Sequence, residues 1–139
     1  MSEPAAAYDS RFFDSIAGVS ARSAEHVLPI VQEALHPASV LDVGCGRGAW
    51  LAVFTRLGVA DVLGVDGDYV APETLAIPPR QFAARDVTVP FDLDRRFDLA
   101  LCLEVGEHIP KVASATLVKN LTVHAPAVLF SAAVPGQGG

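Results

Sequence analysis

Val40 to Gly48 read Val-Leu-Asp-Val-Gly-Cys-Gly-Arg-Gly, an apolar run that ends in an acid and three glycines spaced two apart. The pattern predicts a buried strand followed by a tight loop, because glycine adopts positive φ and lets another molecule approach the backbone closely. The residues from Ala49 to Phe54 predict a helix whose first amides point into the space beside this loop. The stretch therefore predicts a binding site for a small polar ligand.

Short apolar runs alternate with helical stretches around this loop. Strands are predicted at 40–43, 62–65, 81–84, 97–103 and 127–133, and helices at 49–57 and 113–121. Because the strands are rich in Val and Leu, lack strict alternation and are separated by crossovers, we expect an α/β fold with a doubly wound, mostly parallel sheet. Tyr8–Ile16 and Ala24–Leu35 predict two N-terminal helices, and the proline-containing stretch 71–80 predicts a loop or a short helix.

The composition limits the class of protein. The 139 residues are 51% hydrophobic and 19% charged, as in a globular domain, and no apolar run reaches the roughly 18 to 20 residues of a membrane span. A formal charge of −6 opposes attraction to phosphate backbones, so we expect neither a nucleic-acid nor a membrane partner. Met1-Ser2-Glu3-Pro4 does not begin a secretory signal, and Cys45 and Cys102 lack metal-ligand spacing. We therefore predict a cytoplasmic protein without a metal.

Three acids follow three consecutive predicted strands. Asp42 ends the first strand, Asp66 ends the second and Asp86 follows the third. Their placement suits a nucleoside that carries a positive charge. Asp42 would orient the loop or hold a cationic group, Asp66 would accept hydrogen bonds from both ribose hydroxyls, and Asp86 would accept one from an exocyclic amine. Plainer interpretations are a loop-bracing acid at Asp42, a turn residue at Asp66 and a surface loop acid at Asp86.

The ordered set of motifs resembles a known family. Val40–Gly48, Gly64–Asp66, Ala84–Val87 and the Phe97–Ile109 stretch (Phe-Asp-Leu-Ala-Leu-Cys-Leu-Glu-Val-Gly-Glu-His-Ile) are similar to the successive motifs of class I, Rossmann-like S-adenosylmethionine-dependent methyltransferases. The resemblance covers about Ser39 to Val134 and implies the strand order 3-2-1-4-5 and S-adenosyl-L-methionine as cofactor. It also implies an N-terminal helical cap over residues 1–38 and a cofactor-binding methyltransferase core over residues 39–139.

The resemblance also implies where each part of the cofactor lies. The glycines of the loop would hold its methionine part, Asp66 its ribose, and Asp86 with Val87 its adenine. Leu103 and Glu104 would face the sulfonium. The implied cofactor-binding residues are Asp42, Gly44, Cys45, Gly46, Gly48, Asp66, Gly67, Asp86, Val87, Leu103 and Glu104.

His108 is the candidate catalytic residue. It follows the fourth predicted strand at the mouth of the implied site, where an imidazole can take a proton near neutral pH; it would otherwise brace the following helix. Methyl transfer from a sulfonium is an in-line displacement that needs alignment and exclusion of water more than a strong acid or base. Other residues carry weaker expectations: Glu104 and Glu107 as site-lining and helix-start residues, Tyr69 and Asp68 beside the adenine or in a simple turn, Tyr8 and Arg11 in a capping helix, and Trp50 in the core.

The resemblance ends early. Class I methyltransferases usually continue beyond the fifth strand with a helix and an antiparallel strand pair, whereas this sequence reaches Gly139 directly after that strand. We expect a truncated core without the C-terminal antiparallel strands, whose exposed fifth strand favours a homodimer. The predicted function is methyl transfer to a small-molecule acceptor. Two alternatives stay open: a non-catalytic S-adenosylmethionine-binding module that acts through a protein partner or self-association, and a nicotinamide-dependent oxidoreductase, since Gly44-x-Gly46-x-x-Ala49 satisfies the loose dinucleotide fingerprint.

Overall fold

A parallel sheet organises the fold in the computed structural model, which describes residues 10–134, with side chains from residue 18 onward. Its strands are β1 (Ser39–Val43), β2 (Asp61–Asp66), β3 (Phe82–Ala84), β4 (Leu99–Leu103) and β5 (Ala127–Ser131). Within the described range every strand pairing is parallel, and the order is β3-β2-β1-β4-β5. The predicted doubly wound sheet and its strand order are confirmed.

The helices differ from prediction at the N-terminal side. They are α1 (Ser10–Leu35), α2 (Ala49–Arg56) and α3 (Ser114–His124). The prediction of two N-terminal helices was wrong, because Ser10–Leu35 is one helix that contains Pro29. Extending an existing helix adds a hydrogen bond per residue without a new nucleus, so the apolar spacing need not be continuous. The 71–80 stretch holds two short 3-10 turns, Pro72–Thr74 and Pro79–Gln81, in agreement with the predicted loop or short helix.

The ends of several strands and helices also differ from the predicted ends. The fourth strand begins at Leu99 rather than at Phe97, and the Phe97 N–H instead donates to the carbonyl of His124, the last residue of α3, at 2.7 Å. The fifth strand ends at Ser131, two residues before the predicted end. Helix α3 continues three residues beyond Leu121.

Apolar side chains pack on both faces of the sheet. Alternate residues of β4 point to opposite faces, so Leu99 and Leu101 join one core while Ala100 and Cys102 join the other. Helices α1 and α2 cover the first face and α3 covers the second. β1 is buried at all five positions, as expected for a central strand. Ala24 of α1 packs into the same core as α2, and the division of the chain at residue 38 stays a prediction.

His124 links α3 by a hydrogen bond to the segment between β3 and β4. This histidine is 1% exposed, and its Nε2 accepts the Leu93 N–H at 3.0 Å. Its Nδ1 therefore carries the proton and donates to the Asn120 carbonyl at 2.7 Å. The ring also stacks on Phe91, with centroids 5.3 Å apart. The imidazole thus serves as a neutral structural crosslink.

Asn120 makes a second attachment one helical turn away. Its amide nitrogen donates to the carbonyls of Val87 and Val89 at 3.3 and 3.0 Å, and its oxygen accepts the Phe91 N–H at 3.3 Å. Because Asn120 is 3% exposed, these bonds satisfy a polar group that would be costly to bury alone. They hold the segment that directly follows Asp86.

Candidate functional site

The glycine loop is anchored to the neighbouring strand at the carboxyl end of β1. The N–H groups of Gly44 and Cys45 both donate to the carbonyl of Val65, at 2.8 and 3.1 Å. Gly44, Gly46 and Gly48 have φ values of 80°, 55° and 84°, a region that side chains disfavour. The loop therefore depends on glycine at each of these positions for its backbone path.

The three glycines differ in what surrounds them. A Cβ at Gly44 would lie 2.4 Å from Cγ2 of Val105, and one at Gly48 would lie 2.9 Å from Cγ1 of Ile77. A Cβ at Gly46 would meet no heavy atom within 4 Å. Gly44 and Gly48 thus allow close packing, whereas Gly46 faces open space in which a ligand can contact the backbone.

A cleft of about 700 Å³ opens beside Gly46, between α1 and the carboxyl ends of β1, β4 and β5. It brings together seven of the predicted residues: Asp42, Gly44, Cys45, Gly46, Leu103, Glu104 and His108. Sequence reasoning missed the walls that α1 and β5 supply, which are Val19, Ser20, Ser23, Val27, Leu129, Phe130 and Ser131. Only the packing of these two elements across the sheet edge reveals them. We call this space the loop cleft.

A second cleft of about 590 Å³ lies beyond the end of β2. We call it the β3 cleft, since it extends to the residues after β3. It contains four further predicted residues, Asp66, Gly67, Asp86 and Val87, together with Asp68, Tyr69, Ala84, Arg85 and Thr88. Gly48 lines neither cleft, because it is buried against Ile77 at the start of α2. The predicted cofactor site therefore consists of two clefts, the loop cleft and the β3 cleft.

The carboxylate of Asp66 lines the β3 cleft and is hydrogen-bonded to Gly46 of the loop cleft. Its Oδ2 accepts the N–H of Gly46 at 2.8 Å, and its Oδ1 accepts the N–H of Gly67 at 2.8 Å and the hydroxyl of Tyr69 at 2.5 Å. The residue is 8% exposed, so these donors compensate the cost of burying its charge. Asp66 thus braces the loop and links the loop cleft to the β3 cleft.

Asp42 is the most deeply buried acid of the site. It is 3% exposed, and burial, with a smaller contribution from the negative charge of Asp66, raises its pKa to about 8. A positive group bound in the loop cleft would favour the ionised form. Asp42 lines the loop cleft and is therefore placed to respond to a cationic ligand there.

The two cysteines are free, buried thiols. Burial raises the pKa of Cys45, and the charges of Asp42 and Asp66 raise it further. Burial, together with Asp42 and Glu107, raises the pKa of Cys102 to about 12. Neither thiol forms a reactive thiolate near neutral pH.

Glu104 and His108 lie on the β5 side of the loop cleft. Glu104 has φ 57°, an uncommon conformation for a residue with a side chain. Its N–H donates to the Ser131 carbonyl at 2.8 Å, and its Oε2 accepts the Ser131 hydroxyl at 3.1 Å. His108 is exposed, and its Nε2 lies 4.0 Å from Oε2 of Glu107 within the 3-10 turn Gly106–His108. Glu104 is thus fixed, while the imidazole faces solvent at the cleft mouth.

The remaining candidates have mixed outcomes. Oδ1 of Asp86 accepts the N–H and hydroxyl of Thr88 at 2.9 and 2.6 Å, and these bonds lower the pKa of this exposed acid, so it braces its own turn. Trp50 packs against the core and also lines the loop cleft. Tyr8 and the side chain of Arg11 lie outside the described residues.

Comparison with known proteins agrees with this geometry. The sheet order is that of the class I, Rossmann-like methyltransferase fold. A family model described as a methyltransferase domain matches residues 17–126, and the chain belongs to that family.

Individual relatives cover the chain to different extents. The chain is 34% identical over 84 residues to a ubiquinone biosynthesis O-methyltransferase of Rhodopseudomonas palustris, an alignment covering 54% of this chain and 31% of that protein. The chain spans about a third of the length of such curated relatives.

Two solved structures are similar in fold. SAM-bound CalS10, an amino pentose methyltransferase from Micromonospora echinaspora involved in calicheamicin biosynthesis, has a TM-score of 0.71 at 23% identity, covering 95% of this chain and 60% of that one. The sugar N-methyltransferase KedS8 from Streptoalloteichus has a TM-score of 0.66 at 27% identity, covering 84% and 50%.

Proposed function

We propose that this protein is an S-adenosyl-L-methionine-dependent methyltransferase, or the cofactor-binding core of one, that acts on a small molecule. The observation that carries the proposal is a pair of clefts at the carboxyl edge of the sheet whose linings are connected by one hydrogen bond. Gly46 offers bare backbone in the loop cleft, and Asp66, which accepts the Gly46 N–H, lines the β3 cleft. This shape suits an elongated ligand with an amino-acid end, a ribose and a base.

The described residues fit such a cofactor. The open space at Gly46 accepts a group against the backbone, and Asp42 lies buried in the loop cleft, where a carboxylate would attract a positive charge. In this proposal Asp66 holds the ribose, and Asp86 with Val87 lines the base position. The cofactor supplies a methyl group on a positively charged sulfur.

The chain itself aligns the reaction. In-line displacement requires the acceptor atom to approach opposite the leaving sulfur, and a wall that excludes water improves this alignment. Val19, Val27 and Phe130 supply apolar surface on the α1 and β5 sides of the loop cleft. Exposed His108 lines the same cleft, in reach of a proton released by the acceptor.

Three features support a small-molecule acceptor. The loop cleft holds about 700 Å³, within the range of small-ligand sites. The formal charge of −6 disfavours nucleic acid. The relatives include a ubiquinone biosynthesis enzyme and an amino pentose methyltransferase. The free buried thiols suit the reducing cytoplasm that we also propose. Among the helices that the structure describes, none has the length and hydropathy of a membrane span.

We also propose that the protein forms a homodimer. Within the described part of the chain, β5 pairs with β4 alone, and Val128 and Phe130 on β5 are 38% and 49% exposed. An open strand edge with apolar neighbours favours association. Light scattering of dilute protein should give twice the chain mass, and a monomer over the whole concentration range would contradict this assembly.

Calorimetry beside a turnover assay tests the function. We expect S-adenosylhomocysteine, the demethylated product, to bind at one site per chain, and we expect methyl loss from S-adenosylmethionine with at least one hydroxyl- or amine-bearing acceptor. Binding without turnover across a broad acceptor panel would favour the non-catalytic module. Binding of NAD in place of the sulfonium nucleoside would instead identify an oxidoreductase.

A further inference from the structure

The hydroxyl of Tyr69 is hydrogen-bonded to the Asp66 carboxylate, on which the proposed ribose site depends. Tyr69 donates to Oδ1 of Asp66 at 2.5 Å, and the same oxygen accepts the N–H of Gly67 at 2.8 Å. Oδ2 of Asp66 accepts the N–H of Gly46 at 2.8 Å. A carboxylate offers about four acceptor positions, two on each oxygen. Oδ1 is therefore full, and Oδ2 retains one position.

A ribose diol that binds across this carboxylate needs one acceptor position on each oxygen. The two N–H donors belong to the backbone of the glycine loop and of the residue next to Asp66, so neither can leave without remodelling the site. The tyrosine hydroxyl belongs to a residue that is 72% exposed, so water can replace the carboxylate as its partner. Tyr69 is therefore the donor that a ribose hydroxyl can displace from Asp66.

The local backbone places Tyr69 in this position. The Val70 N–H donates to the Gly67 carbonyl at 3.3 Å, and the resulting turn brings the Tyr69 ring back over Gly67. A Cβ at Gly67 would lie 2.3 Å from Cε1 of the ring, so glycine is what lets the ring approach so closely. The ring also lines the β3 cleft, so movement of the hydroxyl leaves the aromatic face next to the base position.

Resting on the proposed function, we propose that Tyr69 sets the affinity for the nucleoside by competing with the ribose diol for Asp66. The hydroxyl stands in for a ribose hydroxyl in the free protein and is displaced when the ligand binds. The buried carboxylate thus keeps its donors in both states. Because the Tyr69 hydroxyl must be displaced first, every ligand that binds Asp66 through a ribose diol has a lower affinity.

Replacing the tyrosine with phenylalanine tests this competition while keeping the ring. Calorimetry should show adenosine and S-adenosylhomocysteine binding to the Tyr69→Phe protein about fivefold more tightly than to the wild-type protein, the ratio expected for one net hydrogen bond. The matched control is Thr74→Val, which removes a hydroxyl that donates to the Ala71 carbonyl in the same connection, outside both clefts. It should leave the affinity unchanged.

A second ligand separates competition from simple obstruction. 2′,3′-Dideoxyadenosine lacks the diol, so Tyr69→Phe should not change its affinity. An equal gain for both nucleosides would mean that Tyr69 only obstructs the cleft, and an unchanged or weaker affinity for adenosine would mean that it supports the site; either result overturns the proposal. Binding of S-adenosylhomocysteine by the wild-type protein would still support the proposed function in both cases. If neither protein binds any of these ligands, both proposals fail together.

Discussion

The backbone N–H of Gly46 donates to Oδ2 of Asp66 at 2.8 Å, and this bond connects a residue of the loop cleft to a residue of the β3 cleft. One partner belongs to the loop after β1 and the other to the end of β2. The bond makes the loop conformation depend on the acid that the proposed cofactor uses. Binding and loop stability are therefore coupled at Asp66.

Substituting Asp66 with Ala should weaken S-adenosylhomocysteine binding and also lower the free energy of unfolding. The change removes the acceptor for the part-buried N–H groups of Gly46 and Gly67, and a net hydrogen bond of this kind contributes about 1 kcal/mol. Calorimetry and denaturant unfolding measure the two effects. Asp98→Ala, an exposed acid at the opposite end of the sheet, is the control. Unchanged ligand affinity in the Asp66 variant would show that the ribose lies elsewhere.

Ala at Gly46 and Ala at Gly44 should have different consequences. Gly46→Ala adds a methyl group to open space, where it would obstruct a ligand but contact no protein atom. It should therefore mainly lower ligand affinity, with a smaller effect on the melting temperature. Gly44→Ala adds one that lies 2.4 Å from Val105, so it should mainly lower the melting temperature. Gly58→Ala measures the strain of positive φ alone, because this glycine has φ 102° and open surroundings. Equal effects of the first two variants on binding would contradict the assigned difference.

The pKa of Asp42 predicts how stability depends on pH. Its pKa is about 8 in the folded protein and 3.8 in a free side chain, so between these values the unfolded chain releases a proton that the folded chain keeps. This residue's contribution should thus reduce the free energy of unfolding as pH rises from about 4 to about 8. Asp42→Asn should flatten that part of the profile, and its melting temperature relative to wild type should rise with pH. A constant difference across the range would contradict the raised pKa.

The buried contacts of His124 predict a local loss of structure. His124→Leu should lower the free energy of unfolding by about 1 to 3 kcal/mol, because the Leu93 N–H loses its acceptor in a buried setting. Hydrogen exchange of that amide should accelerate first. His26→Leu, at an exposed position of α1, should change neither quantity by much. Full protection of the Leu93 amide in the His124 variant would contradict the crosslink.

The local sequence was sufficient for the parallel strands and the glycine loop, whereas the order of the strands came from the resemblance of the successive motifs to a known family. Leu99–Leu103 is apolar throughout and Val40–Val43 is apolar except for Asp42, which identifies buried parallel strands, and backbone constraints restrict the loop to glycine. Asp42, Asp66 and Asp86 follow from the same pattern, since parallel strands end at one edge. Such features depend on period and residue type within a few positions, and these are readable along the chain.

Contacts between residues distant in the chain depended on the tertiary structure. Packing of α1 and β5 around one cleft places Val19 and Phe130 in the walls of the same cleft, although more than a hundred residues separate them. The same packing distinguishes Gly44, which faces Val105, from Gly46, which faces open space. Tyr69 meets Asp66 because of a turn geometry that residue types alone do not specify. Spacing along the chain constrains the backbone, but the partners of each side chain are decided only when distant segments pack and bury one another.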